Sequence, residues 1–175
     1  AMGRRLSKKS KHHYSGSEKN IVYGWDGDTL AYESNDTVTK HYIYEKDSFV
    51  PLIQAIYKEK IAVHDTQVWD EAYSFNKDPL WKRKIQSKGL DEVCFYHCDH
   101  LGTPQELSNQ AGQIVWKAQY KAWGELVLAK ENKSDSNFFE NSEIISNNIR
   151  FQGQYFDEET GLHYNRHRYY SPNIG

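Results

Sequence analysis

The chain has 175 residues, a length that suffices for one domain with its own core. Its formal net charge is −2, and its 38% share of hydrophobic residues is below that usual for globular proteins. A charge so close to neutral excludes a general attraction to nucleic acid or to an anionic membrane. No run approaches the roughly 18 consecutive apolar residues of a membrane-spanning helix.

Aromatic side chains make up 14% of the sequence, including 13 tyrosines and 5 tryptophans. These residues bury a large apolar surface while keeping a polar group. The composition therefore favours half-buried sheet surfaces over an apolar helical interior.

The chain begins with a basic stretch, residues 4–13. A phosphate- or membrane-binding patch is one interpretation. Because no aromatic residue is interleaved before Tyr14, we favour a solvated strand end or a frayed terminus.

Short strands are predicted through the first sixty residues. Residues 21–25 lead into Asp26-Gly27-Asp28, a strong turn signal, and extended patterns resume at 29–33 and 37–44. Turns about every ten residues indicate a β meander over 1–57.

The middle of the chain predicts helix. Asp65 offers an N-cap, Asp78-Pro79 is a second helix start, and Gly89 closes the pattern. We interpret residues 62–90, within a segment bounded at 58–92, as a short helical insertion that covers part of the sheet.

From Val93 the strand pattern returns and continues through 93–175. A polar turn follows Cys98, a hairpin-type turn lies at 109–112, and residues 113–120 alternate with one apolar face. Residues 131–148 are rich in Asn and Ser and predict a loop. The expected fold is a single unit, 1–175, that is mainly β and antiparallel.

A repeated plan underlies these strands. In three stretches, 23–28, 96–102 and 155–161, an aromatic residue leads a strand, an Asp follows two or three positions later, and a Gly closes the turn. Residues 120–124 are a degenerate copy without the Asp. The Asp is expected to cap turn amides and the Gly to take positive φ. The structural residues that this plan singles out are Tyr23, Asp26, Gly27, Tyr96, Asp99, Gly102, Trp123, Gly124, Tyr155, Asp157 and Gly161.

These repeats resemble the tyrosine–aspartate (YD) repeats of bacterial Rhs proteins. Residues 96–107 (Tyr-His-Cys-Asp-His-Leu-Gly-Thr-Pro-Gln-Glu-Leu), 114–124 and 150–170 look like the Rhs core that closes the repeat region, and residues 23–30 look like a preceding repeat. The resemblance covers most of the chain outside 58–92 and 130–148.

The resemblance implies a role. Rhs proteins are polymorphic toxins whose repeats wind into a β shell around a toxin domain, and many are delivered by type VI secretion. An Asp-Pro-containing segment beyond the core ordinarily cuts itself at an aspartyl-protease-like site. The sequence ends at 171–175, before that segment. We therefore expect the chain to form part of the shell wall, without the cleavage segment and without a toxin domain.

Three catalytic or metal-binding interpretations compete with this one. Adjacent acids at Asp157, Glu158 and Glu159 suit aspartyl hydrolysis, but a polar turn explains them as well. Cys94, His97, Cys98 and His100 suggest zinc, yet strand alternation turns His97 away from both thiols, which we expect to be buried.

The third interpretation concerns His163, Arg166, His167 and Arg168. If 162–170 is one returning strand, neither face brings a Ser or Cys beside a His, so a nucleophilic triad is poorly supported. No catalytic residue, metal or cofactor is predicted.

The resemblance thus implies a non-enzymatic shell segment of a bacterial Rhs toxin, made in the cytoplasm and delivered within a larger protein. Its expected partners are a toxin domain or the remaining shell, with oligomerisation through sheet edges and no nucleic acid. A carbohydrate- or protein-binding module, a remnant of an aspartyl self-cleaving core, and a piece that docks on a longer relative remain alternatives.

Overall fold

A computed structural model describes residues 4–11, 13–14, 16–61, 70, 72–78, 89–129 and 145–174. Twelve strands account for its regular structure: β1 Ser7–Lys11, β2 Glu18–Asp26, β3 Thr29–Ser34, β4 Thr39–Tyr44, β5 Pro51–Tyr57, β6 Glu92–Cys98, β7 Pro104–Asn109, β8 Ile114–Tyr120, β9 Leu126–Ala129, β10 Gln154–Asp157, β11 Leu162–Asn165 and β12 Arg168–Tyr170.

Strands β1 to β9 form one sheet in strict chain order, each antiparallel to the next. Strands β10 to β12 form a second, three-stranded antiparallel sheet. The predicted antiparallel meander is confirmed.

The predicted helical insertion is not shown. Residues 62–69, 71 and 79–88, on which most of that prediction falls, lie outside the described part of the chain, and the described residues between β5 and β6 contain no helix. Most of the predicted loop at 131–148 likewise falls outside the description, which resumes at Ile145.

The prediction of one returning strand over 162–170 was wrong. The chain reverses after Asn165, Arg166 takes a φ of 55°, and Asn165 pairs with Arg168 across the turn. A two-residue hairpin turn needs positive φ, which is usually provided by Gly or Asn. Here an arginine adopts it, so the local sequence carried no turn signal.

We call the face of the large sheet that contacts the C-terminal segment its inner face. Tyr23, Tyr42, Tyr96 and Trp116 are buried there. The C-terminal segment adds its own buried residues to this core: Ile145, Ile149, Tyr155 and Tyr164. The interior of the protein is thus the contact between the nine-stranded sheet and the segment 145–170.

A register shift between β7 and β8 alters the predicted alternation. Leu107 pairs with Trp116 but Ser108 pairs with Ile114, so Val115 has no partner in the ladder. Val115 and Trp116 are both 3% exposed. A β-bulge of this kind turns two consecutive residues toward the core, which period-two alternation does not anticipate.

The opposite, outer face carries a row of rings on neighbouring strands. The Tyr32 and His41 ring centroids are 5.6 Å apart, and those of His41 and Tyr57 are 5.5 Å apart. Gly24 lies at the end of this row, opposite Tyr32 in the β2–β3 ladder. A Cβ at Gly24 would overlap the Tyr32 ring. Gly24 is therefore required by close approach of the ring.

We expect Gly24→Ala to lower the free energy of unfolding by about 1–3 kcal/mol, because the added methyl group displaces the Tyr32 ring. Urea unfolding followed by circular dichroism measures the change. Gly89→Ala is the matched control: its Cβ would meet nothing within 4 Å, and it should change stability by less than about 1 kcal/mol. Equal effects of the two changes would contradict the packing role of Gly24.

Candidate functional site: the ionic contact between the N-terminal strand and the C-terminal hairpin

The strongest concentration of buried charge joins the two ends of the chain. Arg5 Nη1 lies 2.6 Å from Asp157 Oδ2, and Lys8 Nζ donates to both Asp157 Oδ1 and Glu159. We call these four residues, Arg5, Lys8, Asp157 and Glu159, the Asp157 clamp. The Asp157 side chain is 1% exposed, so its charge is compensated by these cations and not by solvent.

Tyrosines surround the guanidinium of the clamp. The Arg5 Cζ lies 4.5 Å from the centroid of the Tyr23 ring, 4.8 Å from that of Tyr164 and 5.5 Å from that of Tyr155. The backbone N–H of Arg5 also donates to the Tyr164 hydroxyl at 3.1 Å. Cation–π attraction is strongest where water is excluded. Arg5 is thus held against the C-terminal hairpin by charge and by contact with aromatic rings together.

This arrangement corrects one sequence-based interpretation. The basic stretch was expected to be a solvated strand end, but Arg4, Arg5 and Lys8 have side chains only 12–16% exposed. Lys9 and Lys11 alternate with them and are exposed. Strand alternation sorts the cations of this stretch into an inward and an outward set.

The clamp bears on whether Asp157 has catalytic chemistry. Burial would raise the pKa of the Asp157 carboxyl, but hydrogen bonds from Lys8 and Arg5 outweigh that effect and lower the pKa to about 2. A carboxylate that stays ionised is no general acid near neutral pH. Aspartyl proteases need two carboxyls that share a proton, whereas Asp157 is bound by two cations.

A second buried carboxylate lies on the inner face of β3. Glu33 accepts hydrogen bonds from the Tyr42 hydroxyl at 2.7 Å and from the Tyr155 hydroxyl. Lys40 Nζ is 3.9 Å from Glu33 Oε1 and donates to Ser146 O at 2.9 Å and to Ser146 Oγ at 2.6 Å. Burial lowers the pKa of Lys40 and raises that of Tyr155. This network ties β3 and β4 to the C-terminal segment.

Sequence reasoning missed Glu33 and Lys40, although a signal existed. Lys40 has the same alternating spacing as Val38, Tyr42 and Tyr44, and this spacing places it on the apolar face of the predicted strand. Glu33 is its register partner on β3. An oppositely charged pair on a predicted inner face is a recognisable sign of a buried polar network.

The predicted turn aspartates have three different environments. Asp99 Oδ1 accepts from the amides of Leu101 and Thr103, both at 2.9 Å. The side chain of Asp157 is mainly bound by cations, with a longer contact of 3.3 Å from the Thr160 amide. At Asp26 the backbone carbonyl, and not the carboxylate, accepts from Thr29 Oγ1.

Two asparagines that the repeat plan did not include cap turns in the same way as Asp99. Asn35 Oδ1 accepts from the amides of Thr37 and Val38 at 2.8 and 2.7 Å. Asn109 Oδ1 accepts from those of Ala111 and Gln113 at 3.0 and 2.9 Å. The chemistry of an Asx turn, available to both residue types, was the signal.

The other residues of the plan fall into three groups. Tyr23, Tyr96 and Tyr155 are buried on the inner side, and Trp123 is 66% exposed. The glycines all have positive φ: Gly27, Gly102, Gly124 and Gly161.

The cysteine and histidine cluster separates, although only one of the two thiols is buried as expected and Cys98 is half-buried. Cys94 is fully buried and burial raises the pKa of its thiol to about 12. His97 projects from the other side of β6, and its Nε2 lies 2.8 Å from Ser108 Oγ. Within the described ranges, no three His, Cys, Asp or Glu residues are grouped so that they could hold a metal ion.

His163 is the one histidine of the C-terminal run that is fully buried. Its Nδ1 lies 2.8 Å from Gln154 Oε1. Burial, and secondarily the charge of Arg150, lower the pKa of His163 to about 4. The ring is therefore neutral in the folded protein at physiological pH, and it is fixed within the hairpin.

Known proteins resemble this chain in sequence. A family model described as "RHS protein" matches residues 93–130. Toxin protein Tse5 of Pseudomonas aeruginosa is 31% identical over all 175 residues of the chain, which span 12% of Tse5. The chain belongs to the bacterial Rhs family.

Two further relatives are informative. Double-stranded DNA deaminase toxin A of Burkholderia cenocepacia is 31% identical over 152 residues, 86% of this Rhs chain and 9% of the relative. The Photorhabdus luminescens Tc holotoxin pore, with a TccC3-D651A mutation, superimposes over 100% of the chain and 7% of its own with a TM-score of 0.62 at 18% identity. The last likeness concerns the fold alone. The Rhs chain spans only about a tenth of these much longer proteins.

The fold of this Rhs segment is similar to that of the matching part of the Tc holotoxin pore structure. In the part of the chain that the structure describes, no helix is long and apolar enough to cross a membrane.

We expect acid to destabilise the protein between about pH 6.5 and pH 4 through His163. The unfolded chain takes up a proton near pH 6.5, whereas the folded chain does so only near pH 4. The unfolded state therefore binds more protons in this window, and stability falls by up to about 3 kcal/mol as the pH is lowered. Urea unfolding at a series of pH values measures the slope.

His163→Gln should flatten this slope, while His100→Gln, in the exposed part of the β6–β7 turn, should leave it unchanged. An unchanged slope in His163→Gln would show that other groups cause the acid sensitivity.

Proposed function

We propose that this chain is a wall segment of an Rhs shell that encloses a toxin domain, and that it takes no part in catalysis. Its nine-stranded meander and its likeness to the Tc toxin structure support an architectural role. Two relatives of comparable identity are named as toxins. The toxin activities in these names then belong to other parts of the relatives.

The observation that carries the proposal is the Asp157 clamp. The acid that most resembled a catalytic residue in the sequence is enclosed by Arg5 and Lys8, whose sequence positions lie about 150 residues away. Its charge is used to hold the hairpin β10–β12 against the start of the sheet. A shell wall needs such cohesion, whereas an aspartyl self-cleaving site needs a second carboxyl that shares a proton.

The sheet edges fit the proposed partners. β1 and β9 are the outermost strands of the large sheet. Lys9 and Lys11 are exposed on β1, and lysines on an edge strand disfavour unspecific pairing with other strands. We propose that neighbouring shell strands cover these edges in the larger protein, that a second copy does so when the segment is isolated, and that delivery through a type VI system serves the whole assembly.

A chimera tests the proposal. The stretch of Tse5 that aligns with residues 1–175 is replaced by this chain, and trypsin digestion of the product is followed by gel electrophoresis and intact mass. If the segment is a shell wall, the rate at which trypsin digests the chimera is within about twofold of the rate for unmodified Tse5. Asp157→Lys in the grafted segment should raise the digestion rate of the chimera at least about tenfold, because three cations then meet without a buried acid.

Asp36→Lys is the matched control, because Asp36 pairs with Lys60 at a site where both side chains are more than half exposed. It should alter digestion little. A spontaneous mass loss of the isolated chain that Asp157→Asn abolishes would instead identify the segment as an aspartyl self-cleaving remnant.

A further inference from the structure

A recurrent contact in this protein places an arginine between an aspartate at a turn and an aromatic ring. At the β2–β3 turn, Arg166 Nη2 lies 2.8 Å from Asp28 Oδ2, and the Arg166 guanidinium lies 5.3 Å from the Phe49 ring centroid. Arg4 also pairs with Asp28, with its guanidinium 5.4 Å from the Trp25 ring centroid.

The same combination recurs at the β10–β11 turn. Arg5 pairs with Asp157 while it lies over Tyr23 and Tyr164. Arginine suits this position because its planar guanidinium can stack on a ring and pair with a carboxylate at the same time. Three arginines of the chain thus share one mode of recognition, at two separate turns.

The β6–β7 turn offers the same elements in a cleft of about 450 Å³. The cleft lies where this turn, the β8–β9 turn and the C-terminal segment meet. Its wall combines one acid with four aromatic rings: Asp99, Tyr120, Trp123, Phe151 and Tyr170.

The rings of this cleft present apolar surface to solvent. Trp123 is 66% exposed and Phe151 is 43% exposed. The hydroxyl of Tyr170 donates to Trp123 O at 3.0 Å, and that of Tyr120 donates to Pro104 O at 2.9 Å. Since both hydroxyls are bonded to backbone, the tyrosines contribute mainly ring surface to a ligand.

The charge of the cleft is that of Asp99. Lys121 also lines the cleft, but its Nζ lies 2.7 Å from Glu125 Oε2. Asp99 Oδ1 accepts from two turn backbone amides, whereas Oδ2 accepts, among the described residues, from the side-chain amide of Gln105 at 3.2 Å. Among the residues that the structure describes, no arginine or lysine pairs with Asp99, in contrast to Asp28 and Asp157.

We propose that this cleft binds an arginine side chain presented by an extended segment of a partner polypeptide. The guanidinium stacks on Trp123, the more exposed of the two rings, and donates to Asp99 Oδ2, as Arg166 does between Phe49 and Asp28. The cleft is larger than one guanidinium, so it also receives flanking residues of the segment. Charge complementarity with Asp99 and the exposed rings together select arginine over a neutral side chain.

Titration of the whole protein with the blocked peptide acetyl-Gly-Arg-Gly-amide tests the proposal by ¹H–¹⁵N NMR. We expect saturable shifts of the Trp123 indole and of the amides of residues 99–103, with a dissociation constant near the millimolar range. The same peptide with citrulline, which is neutral but similar in shape, should bind at least about fivefold more weakly.

Trp123→Ala removes an exposed ring but keeps the backbone carbonyl that accepts from Tyr170, and it should weaken binding by about fivefold or more. Phe95→Ala, which removes a 40% exposed ring from the outer face of β6, is the control and should leave binding unchanged. No shift at about 10 mM peptide, equal binding of the citrulline peptide, or binding insensitive to Trp123→Ala would each overturn the proposal.

Discussion

The structure depends on one buried carboxylate and the two cations that neutralise it. Asp157 is the last residue of β10, where the C-terminal hairpin turn begins, Arg5 lies just before β1, and Lys8 lies within β1. A lone carboxylate with 1% exposure would cost several kcal/mol. Bound by both cations and capped by tyrosine rings, the same group specifies which segment must lie on the sheet and in which position.

The rest of the contact between sheet and hairpin follows the same logic. Tyr155 extends from the hairpin to Glu33 on β3, and its ring meets that of Tyr23 edge-on at a centroid distance of 5.6 Å. Because the buried carboxylates of Asp157 and Glu33 have partners across the contact, the hairpin cannot slide without leaving a buried charge unpaired. Dense polar and aromatic contacts thus fix the position of the hairpin on the sheet.

Local sequence patterns predicted the strands and many of their turns. Alternation located the strands around Tyr23, Tyr42 and Tyr96, and Asp-Gly or Asn-containing stretches located their turns. The hairpin turn at Arg166 and the bulge at Val115 escaped prediction because no typical turn or bulge residue marks them. The Asp157 clamp was not predicted for a different reason. Its cations and its acids are about 150 positions apart in the sequence, and a single sequence does not show which distant acid an inward-facing cation binds.

A double-mutant cycle on Arg5→Gln and Asp157→Asn measures the central interaction most directly, with Asp36→Asn and Lys60→Gln as the exposed reference pair. Urea unfolding of the two single variants and the double variant gives the coupling free energy. For Arg5 and Asp157 we expect about 2 kcal/mol or more, and for the reference pair less than about 1 kcal/mol. A coupling near zero between Arg5 and Asp157 would contradict the view that this ion pair holds the hairpin to the sheet.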